Sequence, residues 1–299
     1  MIVFHHNDPD GRCAAAIVRI RYEAADQLWV KDGTGKMDFV ELNYHTHDFR
    51  DVLPNETVFI VDYSLPPEIM NKILSVTKDV TLIDHHASTP GKMKEYVGEY
   101  TAVVKCDGPD SGCSLTWQHL YPEVADDMPE ALQLIRDYDT WTHAIYPAST
   151  YFTTGLNLFD CDPTSMVWED LLGFERNPDY VAEDIIQIGR NCVEFRNSLA
   201  KTACDEFGFE TEWEGHKCFI IYCSTMRSSL FFGDRIKDYD ICIMVVPHGN
   251  GVTIRLYSDE RVDVSEVAKK FDGGGHKGAG GFVCAEIPEA FLPGGKKNG

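Results

Sequence analysis

Apolar positions in the first half of the chain gather in short runs, each followed by a polar segment and then by a stretch of helical character. Ile2-Val3-Phe4, Phe39-Val40-Glu41-Leu42, Val58-Phe59-Ile60-Val61 and Val80-Thr81-Leu82-Ile83 read as strands. Leu132 to Ile135 reads as one more strand end, before Asp137-Tyr138-Asp139. Gly11 to Ile20 reads as a helix whose small residues, Cys13-Ala14-Ala15-Ala16, let its first turn pack closely on a sheet. Pro66-Pro67-Glu68-Ile69-Met70 opens another helix, with proline in the first turn. Strands alternating with helices predict an α/β domain on a parallel sheet.

The pattern changes near Asn177-Pro178, where Tyr180 to Gly189 and onward to Ala203 predicts a linker helix. Lys217 to Tyr222, Tyr239 to Val246 and Gly251 to Leu256 then read as strands. Pro247-His248-Gly249-Asn250 is a turn signal that predicts a hairpin between the last two. The tail from Pro293 to Gly299 is expected to fray.

A chain of 299 residues suits two domains, each with its own core. No apolar stretch approaches the ~20 residues needed to span a bilayer, so no membrane partner is expected. The first residues lack a basic region followed by an apolar signal core, which predicts a cytoplasmic location. Ten cysteines include no Cys-x-x-Cys pair, which disfavours a zinc ribbon or a thioredoxin-like centre and predicts reduced, mostly buried thiols. The net charge of −21 opposes binding of long duplex nucleic acid. A short or monomeric anionic substrate is compatible with it, because divalent metals and a few Lys or Arg side chains reverse the field within one pocket.

The candidate chemistry sits at the strand ends. Ligands of open α/β sheets gather beyond the carboxyl ends of the strands, a rule that places His6, Asp8, Asp10, Asp62, Asp84, His85 and His86 around one crevice. His6, Asp8 and Asp10 alternate along what is expected to be an extended segment, with Pro9 disfavouring α-conformation. Several carboxylates with imidazoles form a donor set for two divalent ions ~3.5–4 Å apart, and the imidazoles favour Mn²⁺, Fe²⁺, Co²⁺ or Zn²⁺ over Mg²⁺ or Ca²⁺. A second signature is the run Gly273 to Gly281, where glycines let backbone N–H groups approach an anion and His276 and Lys277 add donors and charge.

His6-Asn7-Asp8-Pro9-Asp10-Gly11, Val61-Asp62-Tyr63-Ser64, Ile83-Asp84-His85-His86 and Tyr138-Asp139-Thr140-Trp141 resemble, in order, the four motifs of the DHH phosphoesterase superfamily. That superfamily includes RecJ exonucleases, nano-RNases, pAp phosphatases and manganese-dependent family II pyrophosphatases. The fourth motif is most similar to its form in NrnB-like oligoribonucleases. Gly273-Gly274-Gly275-His276 and Thr253-Ile254-Arg255-Leu256 resemble the DHH-associated C-terminal domain, so the resemblance covers most of the chain. It implies a parallel-sheet DHH domain over 1–175, a linker helix over 176–207 and a smaller mixed α/β substrate-binding domain over 208–299, with the active site in the cleft between domains.

The resemblance further implies that His6, Asp8 and Asp62 hold one metal, while Asp10, Asp62, His85 and a motif-four aspartate hold the other, Asp62 bridging. Asp139 is the expected motif-four ligand; Asp137, two residues earlier, is the alternative on the same side of an extended segment. Asp84 is expected to orient an imidazole and His86 to reach the substrate phosphate. Arg255, Gly273, Gly274, Gly275 and His276 are expected to hold the rest of the substrate, the guanidinium as a phosphate clamp.

The implied activity is metal-dependent phosphoester hydrolysis of short oligonucleotides, in the manner of a nano-RNase, or of 3′-phosphoadenosine 5′-phosphate. Two divalent ions, Mn²⁺ foremost, would activate the water. Cyclic dinucleotide hydrolysis and RecJ-like exonuclease action are alternatives of the same class, and a catalytically silent nucleotide-binding regulatory module is one of another. A homodimer is left open. Among weaker signals, Asp107 to Ser114 reads as support for the active crevice or, more simply, as a turn capping the helix Leu115 to Leu120. His45 and His47 read as exposed surface histidines, and Met226-Arg227-Ser228-Ser229 as a nucleotide contact or a helix start.

Overall fold

The computed structural model describes residues 1–24, 36–43, 49, 51–173, 178–223, 228–249 and 251–294. His45, His47, Met226, Arg227, Asn250 and the tail residues 295–299 lie outside this set. The chain divides into two compact units, Met1–Cys192 and Val193–Gly299.

In the first unit, strands β1 (Ile2–His6), β2 (Asp38–Leu42), β3 (Val58–Val61), β4 (Val80–Asp84) and β5 (Thr101–Val104) form a sheet in the order β2-β1-β3-β4-β5. Every pairing in it is parallel. The helices of this unit are α1 (Pro9–Ala24), α2 (Pro67–Leu74), α3 (Thr89–Met93), α4 (Gly112–Leu120), α5 (Glu130–Asp139), α6 (Ala148–Leu156) and α7 (Val167–Leu171). Alternate strand residues feed two cores. Val3, Phe59, Val61 and Ile83 pack with residues of α1, α4 and α5, and Ile2, Phe4, Ile60 and Leu82 pack with α2. Burial on both faces is why these strands are continuous apolar runs in the sequence.

Cys13, Ala14, Ala15 and Ala16 of α1 are fully buried against the sheet. A Cβ on Gly11 would lie 2.5 Å from the His6 carbonyl oxygen, so glycine is required where the helix doubles back on β1. Because α1 covers one face and α2 the other, the chain reverses its winding between the adjacent strands β1 and β3. A crevice opens at the carboxyl ends of strands at such a switch point.

Two expectations are corrected. Leu132 to Ile135 is not strand: it lies in α5, which starts after Pro129 and buries Ala131, Leu132, Leu134, Ile135 and Asp137. A short apolar run does not distinguish a buried helix face from a strand, and here the helical face won. Pro9 does not prolong an extended segment but opens α1, where a proline's missing N–H has no partner to lose.

In the second unit, β6 (Phe209–Trp213), β7 (His216–Tyr222), β8 (Ile241–His248), β9 (Gly251–Tyr257), β10 (Gly274–His276) and β11 (Ala279–Cys284) form a mixed sheet in the order β10-β11-β9-β8-β7-β6. Only the β7–β8 pairing is parallel. The long helix α8 (Pro178–Phe207) runs from the first unit into the second, which also holds α9 (Arg235–Asp238) and α10 (Val264–Lys269). Ile220, Ile243 and Ile254 pack with Val264 and Val267 of α10, and Phe219, Ile221 and Met244 with Ala200 and Cys204 of α8. The β8–β9 hairpin turn is tighter than predicted, since Pro247 and His248 belong to the strand and His248 pairs with Gly251. All ten cysteines are free thiols. Among the described residues no helix is long and apolar enough to cross a membrane.

Candidate metal centre

β1 delivers His6 at its carboxyl end. Asp8, one residue ahead of α1, accepts a hydrogen bond from Gly11 N through Oδ1 at 2.9 Å and places Oδ2 2.6 Å from His6 Nδ1. Asp10, in the first turn of α1, accepts from Ser111 Oγ at 2.7 Å, Gly112 N at 2.6 Å and Cys113 N at 3.0 Å, all at the start of α4. A carboxylate is favoured there because the N–H groups of a first turn have no partner within their own helix. These bonds take three of the roughly four acceptor positions of a carboxylate. Asp10 Oδ2 also lies 4.0 Å from His85 Nε2.

Asp62 follows β3 and is fully buried, with φ at 55°, a left-handed conformation costing a residue with a side chain about 1 kcal/mol. Its amide is tied to the Ile83 carbonyl at 2.8 Å. Oδ2 lies 3.5 Å from His6 Nδ1, and Oδ1 lies 3.2 Å from His85 Nε2. On the far side, His85 Nε2 is 3.2 Å from Asp139 Oδ2 at the end of α5. Despite this crowding, neither Asp62 oxygen, nor His85 Nε2, nor Asp139 Oδ2 makes a hydrogen bond of sound geometry. Space beside Asp62 exists only because residue 112 is glycine: a Cβ there would lie 2.4 Å from Asp62 Cβ.

Asp84, fully buried at the end of β4, accepts from His85 N at 2.8 Å, His86 N at 3.2 Å and Thr89 Oγ1, and meets His86 Nδ1 at 2.7 Å. It therefore holds the His85-His86 backbone and the His86 ring. Burial raises the Asp84 pKa, but the His86 and Thr89 contacts outweigh it and hold the carboxyl below its usual range.

Two donor clusters result. His6, Asp8 and Asp62 form one, Asp10, His85 and Asp139 the other, and Asp62 also clusters with His85 and His86. Their electrostatics show a shortage of positive charge. Burial, then Asp10, pushes the Asp62 carboxyl well above the ordinary carboxylate range. Burial and Asp10 also push Asp139 up to about 7 against the pull of His85. At His6 burial works downward, but Asp62 and Asp8 together raise the imidazole to about 10. Oxygen and imidazole donors, with buried atoms lacking hydrogen-bond partners and carboxylates this close, fit divalent cations.

In the second unit, Arg255 of β9 pairs with Gly281 of β11 and lies beside a cavity of about 330 Å³ that Gly274, Gly275 and Gly280 also line. Its Nε is buried without a hydrogen-bond partner. Gly273 and Gly275 are required by close backbone approach, their Cβ atoms lying 2.2 Å from the Gly281 carbonyl oxygen and 2.5 Å from that of Ala279. Gly274 has open space where a Cβ would be. The glycines thus serve first to let β10 fold onto β11; His276 and Lys277 stand exposed beside them.

No protein-family model matches the chain. The oligoribonuclease NrnB of Bacillus subtilis is 22% identical over an alignment covering 97% of this chain and 74% of that protein. The uncharacterised protein R106 of Acanthamoeba polyphaga mimivirus is also 22% identical, covering 96% and 68%. Among solved structures, the pGpG-specific phosphodiesterase PggH of Vibrio cholerae superposes with a TM-score of 0.55 at 12% identity, covering 95% of this chain and 93% of that one. The DHH domain of a protein assigned to a family of ribosomal proteins gives 0.59 at 14%, covering 94% and 81%. These two share its fold, and near full-length similarity to NrnB accompanies Asp84-His85-His86 at the end of β4. In fold and motifs the chain is similar to the DHH phosphoesterase superfamily.

The structure gathers His6, Asp8, Asp10, Asp62, His85 and Asp139 within the two clusters, with His86 beside them and Asp84 behind. Asp137 does not join them. Its place in a helix turns it away from Asp139, and its Oδ1 accepts from Thr142 Oγ1, Ala144 N and Ile145 N. Gly274, Gly275 and Arg255 line one cavity within the second unit, which Gly273 does not line. Sequence reasoning preferred the capping reading of Asp107 to Ser114 and gave Ser111 and Gly112 no individual role. The helix starts earlier than expected, at Gly112, with Ser111 and Ser114 forming a capping box, and the same turn also binds Asp10 and makes room for Asp62. The signal was there in Ser-Gly-Cys opening a helix after a parallel strand, the place where a Gly-led helix start receives an anion.

Proposed function

We propose that the protein hydrolyses phosphoester bonds of short oligoribonucleotides, with 3′-phosphoadenosine 5′-phosphate as a further substrate, using divalent cations, Mn²⁺ foremost, held by His6, Asp8, Asp10, Asp62, His85 and Asp139. The observation that carries the reading is Asp62: buried, strained, without hydrogen bonds at either oxygen, and shared by the donor clusters that contain His6 and His85. Similarity to an oligoribonuclease over nearly the whole chain supports the substrate class, as does a net charge of −21 that disfavours long polyanions. Two such ions would activate a water and neutralise charge developing on the phosphate.

The chain's own residues do the rest. Asp84 fixes His86 with its Nδ1 engaged, so that Nε2 is the ring nitrogen left to meet a substrate phosphate oxygen. Asp10, locked to α4, and Asp8, locked to Gly11, keep their carboxylates in place before any ligand arrives, so little reorganisation is needed on binding. Arg255 and the cavity beside it bind the part of the substrate that does not react.

The test is product analysis with end-labelled RNAs of graded length and 3′-phosphoadenosine 5′-phosphate, with Mn²⁺ added, for the wild-type protein and Asp62→Ala. Turnover by the wild type and its loss in the variant are expected. Absence of turnover on every phosphoester, or a variant that binds two ions and cleaves at the wild-type rate, would overturn the assignment.

A further inference from the structure

Exposed aromatic rings follow directly on the metal cluster. Trp141 is 70% exposed and Tyr146 61%, whereas Trp117, Trp168 and Trp213 are all buried. We propose that the loop after Asp139 is a nucleobase-stacking platform, with Trp141 as its open face and Tyr138, His143 and Tyr146 as its support. The proposal rests on the phosphoesterase reading and adds to it a grip on the base next to the cleaved phosphate.

The rings form one ordered array. Tyr138 stacks on Trp141 at 6.2 Å between centroids, His143 meets Trp141 edge-on at 4.9 Å, and Tyr146 meets His143 edge-on at 6.0 Å. Holding them so is costly for the backbone. Trp141 and His143 have φ of 54° and 52°, a conformation that costs about 1–2 kcal/mol per residue bearing a side chain. Asp137 braces the loop from within, accepting hydrogen bonds from Thr142, Ala144 and Ile145. Strain that a buried carboxylate maintains, while large rings are kept in water, is not explained by folding.

Position and charge indicate the ligand. Trp141 lies two residues beyond Asp139, at most about 7 Å along the chain, which is the length scale separating a phosphate from its own base. A chain with net charge −21 gains little from long-range attraction of a polyanion, so beyond the cations and Arg255 affinity draws on contacts that do not depend on charge. Stacking of bases on aromatic side chains is such a contact; it contributes ~1–3 kcal/mol per base and tolerates any base.

The test compares metal-loaded wild type, Trp141→Ala and Trp141→Phe on a ribodinucleotide and on its analogue lacking one base. In Trp141→Ala, KM for the complete dinucleotide is expected to rise roughly 5- to 150-fold with a much smaller change in kcat, and the preference over the abasic analogue to collapse. Trp141→Phe restores most of both. Tryptophan fluorescence, titrated with a nucleoside 5′-monophosphate against ribose 5-phosphate, is expected to be quenched by the former only, and less so in Trp141→Phe. Unchanged KM and preference in Trp141→Ala, or quenching identical in Trp141→Phe, overturns the platform. So does a shift in oligomeric state at unchanged KM, which assigns the rings to a protein interface. Failure of the phosphoesterase reading looks different: the wild type then cleaves neither dinucleotide, while quenching still reports whether bases stack.

Discussion

Gly112→Ala tests whether the position of Asp62 matters to the chemistry without touching any proposed ligand. The added Cβ would stand 2.4 Å from Asp62 Cβ and 2.8 Å from Cγ and Oδ1, where ordinary contact begins at 3.4 Å. The shortfall at Cβ is 3.4 − 2.4 = 1.0 Å. Either Asp62 or the first turn of α4 must yield that distance, and the turn is tied to Asp10 by Ser111 Oγ, Gly112 N and Cys113 N. One cluster or the other is therefore displaced. Metal–ligand distances tolerate ~0.2 Å, and a 1 Å misplacement at a reacting centre can cost about 100-fold in rate. Turnover is expected to fall by about that factor, with weaker Mn²⁺ binding by calorimetry and a stability loss of about 1–3 kcal/mol from overpacking. Gly91→Ala is the matched control, since its Cβ meets nothing within 4 Å. A folded Gly112→Ala protein that binds Mn²⁺ and turns over like the wild type would refute the placement of Asp62 at the centre.

The aspartates at the end of α5 are expected to separate cleanly. Asp139→Asn should lower Mn²⁺ affinity and turnover at least tenfold in a calorimetric titration and a product assay, as expected for a charged donor worth ~1.5–3 kcal/mol. Asp137→Ala should act first on stability, by about 2–3 kcal/mol or roughly 5–10 °C in Tm by thermal denaturation, because it strips three hydrogen bonds from one loop. Equal effects of the two on metal affinity would reject the distinction. Arg255→Ala is expected to raise KM about 10-fold or more while changing kcat little, as for a contact made equally in the ground and transition states. A loss confined to kcat would count against the clamp. Asp84→Asn should lower turnover through a misoriented His86 while both ions still bind, measured by calorimetry beside the rate.

Much of the first unit was legible because its strands are buried on both faces and therefore continuous in the sequence: β3 ends at Val61 as Val58 to Val61 predicts, while β4 runs one residue past Ile83 and β1 two residues past Phe4. Each run ends in the residue pattern that lines the crevice. Thr101–Val104, an edge strand whose residues are exposed or half-buried, was not read although Ala102-Val103-Val104 is a short apolar run. Leu132 to Ile135 was misread for the opposite reason, since a buried helix face puts so many apolar residues together that it imitates a strand. The error carried over to Asp137, whose side depends on whether two residues of spacing means the same face of a strand or nearly opposite faces of a helix. For Ser111 and Gly112 the local pattern offered a helix start but not its partners. Their importance comes from Asp10 and Asp62, residues that only the closed sheet brings to them.

The bond between Asp10 and the start of α4 joins positions more than 100 apart in the chain. The complete centre therefore has no local precursor: in an unfolded chain its donors are divided, and ions meet only partial sets such as His6-Asp8-Asp10 or His85-His86. The entropy of closing that loop must be met before the donors converge. Cations bound there act as late-forming cross-links between the first and later β–α segments, drawing their grip from the folded state alone. Protection of the α1 and α4 amides in hydrogen exchange is then a measure of metal occupancy, independent of any substrate.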